Sequence, residues 1–170
     1  MSTTTFTSAP AGTWSADPVH SHVSFEVAYA GTNTFRGGFR EYEATVKDGV
    51  LEGSAQVASV DVKDEQLSGH LQTPDFFDAE RFPEIAFRTS DLESGELTIK
   101  GVTRPVKIEA TVSEPNVDPF GRERVGIKLA ATVDRNEYGV SWNAPNQGGG
   151  NYLGDDVTIT AELALIKAEA

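Results

Sequence analysis

The segment VTITAELALIK, Val157 to Lys167, places an apolar side chain at every second position. A strand turns alternate residues to opposite faces, whereas a helix repeats every three or four. The stretch therefore reads as one long strand with Val157, Ile159, Ala161, Leu163 and Leu165 inward. The same period recurs in HVSFEVAYA (Val23, Phe25, Val27, Tyr29), VKIEATV (Val106, Ile108, Ala110, Val112) and IKLAATV (Ile127, Leu129, Ala131, Val133). Shorter runs from Leu51, Glu84 and Glu96 bring the total to about eight strands, separated by turn chemistry at Asp48-Gly49, Ser94-Gly95 and Phe120-Gly121. In TFRGGFREYEATV the parity slips: Phe35 and Phe39 share one face while Tyr42, Ala44 and Val46 take the other. A bulge near Arg40 is the expected cause.

Two segments read as helical: VKDEQLSGHLQT, where Leu67 and Leu71 lie four apart, and the brief DRNEYG around Asn136. Neither alternates with strands as parallel βαβ units require, so the sheet is expected to be antiparallel. The run NAPNQGGGNYLGDD, Asn143 to Asp156, reads as a long loop before the last strand. The chain of 170 residues matches one domain, taken as residues 13–168 after a flexible segment of residues 1–12.

Charge and composition narrow the function. Twenty-six acidic against 14 basic side chains give a net charge of −12, which repels nucleic acid and anionic lipid headgroups. With no cysteine, disulfides, thiolate zinc sites and cysteine nucleophiles are excluded. No run approaches the ~20 apolar residues of a transmembrane helix. The opening MSTTTFTSAPAGT carries neither a basic region nor an apolar run of the kind found in a secretion signal, so the expected location is the cytoplasm.

Small residues recur on the inward faces: Ala44, Ala55, Ala110, Ala131 and Ala161, with Gly53 beside them. Two architectures satisfy this pattern. One is a closed sheet of about eight strands whose small lining leaves room for a slender ligand. The other is a sandwich whose two sheets approach closely over the alanines. In the first, strands of about ten residues at ~3.3 Å each make a tube roughly 30 Å long, a shape suited to a linear or isoprenoid chain. The aromatic-rich segment HLQTPDFFDAERFPEIAF, His70 to Phe87, follows neither period and would cover an open end, with Phe76 and Phe77 as gate or as plain plug.

Candidate groups around a ligand follow from chemistry. Arg124, Arg135, His70 and Asn143 are expected near a polar head, because arginine grips oxyanions through paired N–H groups and the other two donate to oxygen. Phe25 and Phe87 are inward by alternation, and Trp142 is placed in the pocket wall. Trp14 is read as a core residue closing the barrel. His20 and His22 form an H-x-H pair lacking a third ligand and are assigned to solvent or a bend rather than to a metal. GVSWN lacks the second glycine of a nucleophile elbow, and GGG at 148–150 lacks the lysine of a phosphate loop. Asp155-Asp156 point to opposite faces, and these acids, like Asp75 and Asp78, are read as solvated or turn-forming.

Four ordered motifs carry a family resemblance. They are W-x-x-D-P-x-H-S (Trp14, Asp17, Pro18, His20, Ser21), H-L-x-x-P-D-F-F-D (His70 to Asp78, with Phe82-Pro83 following), L-T-I-K-G-V-T-R-P-V (Leu97 to Val106) and D-R-N-E-Y-G-V-S-W-N (Asp134 to Asn143). In these the chain resembles the YceI-like, polyisoprenoid-binding, lipocalin-like family. The resemblance implies an all-β, extended antiparallel barrel with one or two short helices. It also implies an isoprenoid or fatty-acid-type ligand inside, no catalytic residues, no cofactor, and a homodimer. Many relatives are exported to the periplasm, from which this N-terminus departs, and PNQGGGN is richer in glycine than the family's stretch there. The rival expectations are an enzyme acting on lipid through His70 or the His20/His22 pair, and an interaction protein with a filled core.

Overall fold

A computed structural model describes residues 9–145, 147 and 150–168, together with the backbone of Thr3 and Thr4. The strands are β1 (Thr3–Thr4), β2 (Thr13–Ala16), β3 (His22–Tyr29), β4 (Asn33–Phe39), β5 (Tyr42–Lys47), β6 (Val50–Gln56) and β7 (Val60–Asp61). They continue with β8 (Glu84–Thr89), β9 (Ser94–Ile99), β10 (Val102–Lys107), β11 (Glu109–Ser113), β12 (Asn116–Val117), β13 (Glu123–Asp134) and β14 (Leu153–Lys167). One helix, α1 (Glu65–Leu71), and two 3₁₀ turns, Val57–Ser59 and Arg135–Tyr138, complete the described elements.

The most strongly alternating segments form the backbone of the sheet. β14, of 15 residues, pairs antiparallel with β13 from Arg124↔Ile166 to Asp134↔Asp156. Its other edge is divided: β3 takes Leu153 to Glu162 and β2 takes Leu165 to Lys167. From β2 the ladder runs through β5, β6, β8 and β9 to β10, while from β13 it runs to β11. β10 and β11 are halves of one chain segment that bends at Ile108, so the hydrogen-bonded path begins and ends on the same stretch. Counting that stretch once gives eight positions, the number at which an interior is wide enough for side chains or one slender guest. The barrel thus has a tryptophan end, where β2 and β5 complete it over Trp14, and a helix end, where β3, β4 and β7 do so beside α1.

The inward phase agrees with the alternation. Val27, Ile127, Leu129, Val133, Val106, Ile108, Val112, Leu163 and Leu165 are all buried. Asp48-Gly49 turns with both residues at positive φ, the geometry of a two-residue hairpin that asparagine, aspartate and glycine favour. Asp118 closes the Phe120-Gly121 turn by accepting from the N–H groups of Phe120 and Arg122.

Several expectations are corrected. The parity slip at Arg40 is no bulge. β4 ends at Phe39 and β5 begins at Tyr42, each with its own partner, so the slip marks a corner where the chain changes neighbours. Ser94-Gly95 lies inside β9 rather than in a turn. A Cβ on Gly95 would stand 2.6 Å from the Phe87 ring, so glycine there makes room for the ring, while Asp91 builds the turn by accepting from Glu93 and Ser94. The loop ahead of the last strand is shorter than read, because β14 already begins at Leu153. Of that loop Asn146, Gly148 and Gly149 lie outside the described residues. In the segment 1–12, Thr3 and Thr4 pair with Ser113 and Val112 and Ala9 is buried, whereas residues 1, 2 and 5–8 lie outside the described residues.

Candidate functional site

Small side chains on the inward faces leave the barrel hollow. At the helix end is a cavity of about 680 Å³, walled by Val23, Phe25, Val27, Phe35 and Phe39 from β3 and β4 and by Val157 and Ile159 from β14. Deeper, toward the tryptophan end, a second space of about 110 Å³ lies among Ala44, Gly53, Ala131, Ala161, Phe87 and Leu129. Val23, Ala55, Ile85 and Ile159 line both, so the two apolar spaces adjoin along the barrel interior. The open interior excludes the filled-core architecture.

The segment from Asp64 to Phe82 covers the wide stretch. Asp64 caps α1 by accepting from the N–H of Leu67 at 3.0 Å. This sets Leu71 buried and Leu67 against the cavity. The chain then folds back on the helix: Phe77 N–H donates to Leu71 O and Ala79 N–H to Gln72 O. The paired phenylalanines consequently face different partners. Phe76 is buried against the rings of His70 and Trp142, at centroid distances of 5.0 and 5.4 Å. Phe77 is half-buried and meets Phe39 edge-on at 6.0 Å. Phe82 packs outside, over Gly101. Lys100 Nζ ties the cover down by donating to Pro74 O at 2.6 Å and Gly139 O at 3.1 Å. The cavity reaches solvent beside exposed Asp64 and Gln66. At the wall, the hydroxyls of Tyr29 and Tyr152 lie 2.5 Å apart.

The structure brings Phe25, His70, Phe76, Phe77, Arg135 and Trp142 to the wide stretch and Phe87 to the inner one. His70 lines the cavity with its Nε2 bonded to Asp75 at 3.0 Å. Two expected head-group residues are placed elsewhere. Arg124 stands toward the tryptophan end, held by Asp118 at 2.8 Å and Asp17 at 3.2 Å. Hydrogen bonding to Asp118, and then to Asp17, raises the Arg124 guanidinium pKa; Arg124 in turn holds the Asp118 carboxyl well below the usual carboxylate range, while that of Asp17 is lowered chiefly by His20. Asn143 lines neither stretch and serves its own loop. Its Nδ2 donates to Leu153 O, and its Oδ1 accepts from the N–H groups of Ala144 and Leu153.

Arg135 is buried at 5% exposure, where a guanidinium depends on hydrogen-bond partners to offset its lost hydration. Nε donates to Gly154 O, and Nη1 to Val140 O and Trp142 O, which fixes the chain on either side of the loop. Nη2 is buried and has no hydrogen-bond partner among the described residues, and the same holds for Tyr138 Oη. Burial lowers the Arg135 pKa, opposed by the charges of Asp155 and Asp134, and burial raises that of Tyr138. Alternation of apolar residues does not single out Tyr138. Its signal was the spacing Arg135-x-x-Tyr138, three apart, which a 3₁₀ turn places on one face.

The remaining candidates are structural. Trp14 is buried, donating Nε1–H to Ala11 O at 2.9 Å. His20 sits in a turn with Nδ1 on Asp17 at 2.7 Å, while His22 is exposed on β3. No group of three potential metal ligands occurs among the described residues. Asp78 is buried rather than solvated, at a positive-φ corner where its carbonyl accepts from Arg81 and Phe82. No described helix is long and apolar enough to cross a membrane.

Comparison with known proteins agrees with this architecture. A UPF0312 protein of Staphylococcus aureus (strain USA300) is 28% identical, over 90% of this chain and 96% of its own. Among solved structures, Burkholderia cenocepacia BcnA superposes with a TM-score of 0.74 at 23% identity, covering 88% of this chain and 98% of BcnA. A polyisoprenoid binding domain from Saccharophagus degradans, implicated in plant cell wall breakdown, does so at 0.75 and 11% identity, covering 91% and 98%. These likenesses establish the shared fold. The YceI-like domain profile matches residues 14–165, nearly the whole barrel, and the chain therefore belongs to the YceI-like family.

Proposed function

We propose that this protein holds a long-chain amphiphile of polyisoprenoid type inside the barrel, to sequester or carry it, without acting on it chemically. The observation that carries the reading is the apolar interior: a cavity of about 680 Å³ with a second of about 110 Å³ adjoining it. A cavity of this size is within the range of small-molecule sites, and its long apolar form suits a chain more than a compact metabolite. Each CH₂ withdrawn from water contributes ~0.8 kcal/mol, so a tail of many carbons is held firmly without polar contacts. In this reading Phe25, Phe76, Phe77, Trp142 and His70 contact the part nearer the cover, and Phe87 meets the deeper tail. Phe77, half-buried, is the ring that moves to admit it. The likeness to the Saccharophagus domain supports the ligand class, and a cytoplasmic place of action belongs to the same proposal.

Purification under native conditions, extraction with organic solvent and mass spectrometry of the extract is the test. A long-chain species in stoichiometric amount is expected. An empty extract, together with failure of a prenyl quinone and a prenyl phosphate to bind the purified protein, overturns the reading.

A further inference from the structure

We infer that the inner space is a subsite for the tail end of the ligand, and that Phe87 and Gly53 set the length of chain the barrel accepts. The inference rests on the lipid-binding reading and deepens it: the ligand becomes a chain of defined length rather than any long hydrocarbon. The tryptophan end is closed. Trp14, Val46, Val125, Ile127 and Leu165 are buried and line neither space, with Trp14 opposite Val46 and Val125 opposite Leu165 on neighbouring strands. A chain entering from the helix end therefore meets a floor, and the room above that floor fixes how much of it leaves water. Val23, Ala55, Ile85 and Ile159 border both spaces, which places the tail's path between them.

Above the floor, β5, β6 and β8 carry Ala44, Gly53 and Phe87 as opposed residues of one row, and all three line the inner space. Along the row a methyl group gives way to no side chain and then to a benzyl ring. The place of the ring is set from β9: an ideal Cβ on Gly95 would come within 2.6 Å of it, so the missing side chain there lets the ring lie over Gly95. Gly53 answers no such demand. It does not adopt a positive φ, and a Cβ on it would meet Glu43 O at 3.4 Å and the Ala44 Cβ at 3.8 Å, ordinary contact distances. A glycine inside a strand weakens it, and where neither backbone nor packing requires one, the room it leaves is its contribution. That room, about 110 Å³ beside the Phe87 ring, holds about four methylenes, close to one isoprene unit.

The test is titration calorimetry along two homologous series, prenyl benzoquinones and prenyl phosphates, each lengthened one isoprene unit at a time, with wild type, Phe87→Ala and Gly53→Val. Thermal melting checks that each variant folds. In a series that binds, each further unit is expected to raise wild-type affinity at least tenfold until the tail reaches the floor, after which longer chains gain nothing. Phe87→Ala enlarges the inner space and moves this break about one unit toward longer chains, whereas Gly53→Val fills the space and moves it about one unit toward shorter ones. Both leave the shortest chains, which end in the wide cavity, at wild-type affinity. Phe87→Leu and Gly53→Ala, which displace the break the same two ways by less, replace a variant that fails to fold. A break that stays put in both variants, moves the same way in both, or never occurs in the wild type overturns the inference while leaving lipid binding standing. So does a change in affinity equal at every chain length. A wild type that binds neither series overturns both.

Discussion

Arg124 and Arg135 lie at opposite ends of β13, separated by roughly 35 Å of strand, and their environments contrast. Arg124 gives Nε to Asp118 and Nη1 to Asp17, two carboxylates that neutralise it twice over. Arg135 gives three donors to backbone carbonyls, and its Nη2 is buried without a partner among the described residues. The apolar space follows the same gradient, narrow among alanines near Trp14 and wide among aromatic rings near α1. The contrast separates two uses of one residue type. At one end carboxylates neutralise the guanidinium; at the other, backbone carbonyls hold it in the wall beside the wide apolar volume.

The most damaging intervention for this picture lies between the two ends. Ala55 lines both stretches and is buried at 6%, so Ala55→Phe should stopper the bore at their junction. Excluding about four methylenes from the inner stretch, at ~0.8 kcal/mol each, weakens a long prenyl chain by about 3 kcal/mol, more than a hundredfold. A short chain that ends above the junction should bind as before. Titration of both chain lengths decides the matter, and equal losses for the two would mean that the ligand never reaches the alanine-lined stretch.

Removing charge at the tryptophan end should do the opposite, harming stability and sparing binding. Arg124→Leu removes the partner that Asp118 and Asp17 share, leaving Asp118 to Arg122 and Asp17 to His20, and is expected to lower the midpoint of denaturant unfolding. Acid adds a second signature. The Asp17 carboxyl is lowered to about 2, chiefly by its hydrogen bond with His20, with help from the Val19 N–H and Arg124. A carboxyl whose folded-state pKa is depressed contributes its full stability above its ordinary value of 3.8, and that contribution is lost as pH falls toward 2. Wild-type stability should therefore drop through this window, and Arg124→Leu should drop less steeply, having already lost part of the coupling. A change in ligand affinity accompanying either effect would erase the distinction between the ends.

How far this division could be read from sequence depends on the range of the interactions involved. Alternation is local, so Val23, Phe25, Val27 and the β13 and β14 faces declared their direction, and the inward alanines announced a hollow. Asp118 lies six positions from Arg124 across a turn whose shape the sequence does not declare, and Asp17 lies 107 away, a pairing that no window of sequence displays. Arg124 and Arg135 consequently looked alike. The slip at Arg40 marked a real break but not its kind, because whether a strand bulges or changes partner is decided by the neighbours. Gly95 reads as a turn residue in sequence because the ring that needs its missing Cβ, Phe87, belongs to the adjoining strand. Tyr138 does not stand out in the sequence, since alternation ranks residues by apolarity and its burial is set by the 3₁₀ turn that follows β13.

The smallest expected effect concerns the pace of exchange. Tyr29, at the end of β3, and Tyr152, just before β14, both line the wide stretch, with rings 4.8 Å apart and hydroxyls joined by one hydrogen bond. If this bond closes the wall beside the entrance, breaking it is part of opening, for entry and for exit alike. Tyr152→Phe removes the bond and preserves the edge-on ring contact. A hydroxyl pair of this kind contributes about 1 kcal/mol, so opening becomes about fivefold easier in both directions. Release and uptake should then speed up together, by about that factor, while the dissociation constant stays within twofold. Stopped-flow mixing of a fluorescent prenyl probe with wild-type and Tyr152→Phe protein measures both rates. Faster release with unchanged uptake would assign the tyrosines to holding the bound chain rather than to the opening of the wall, and would put the helix end's flexibility in the Phe77 cover instead.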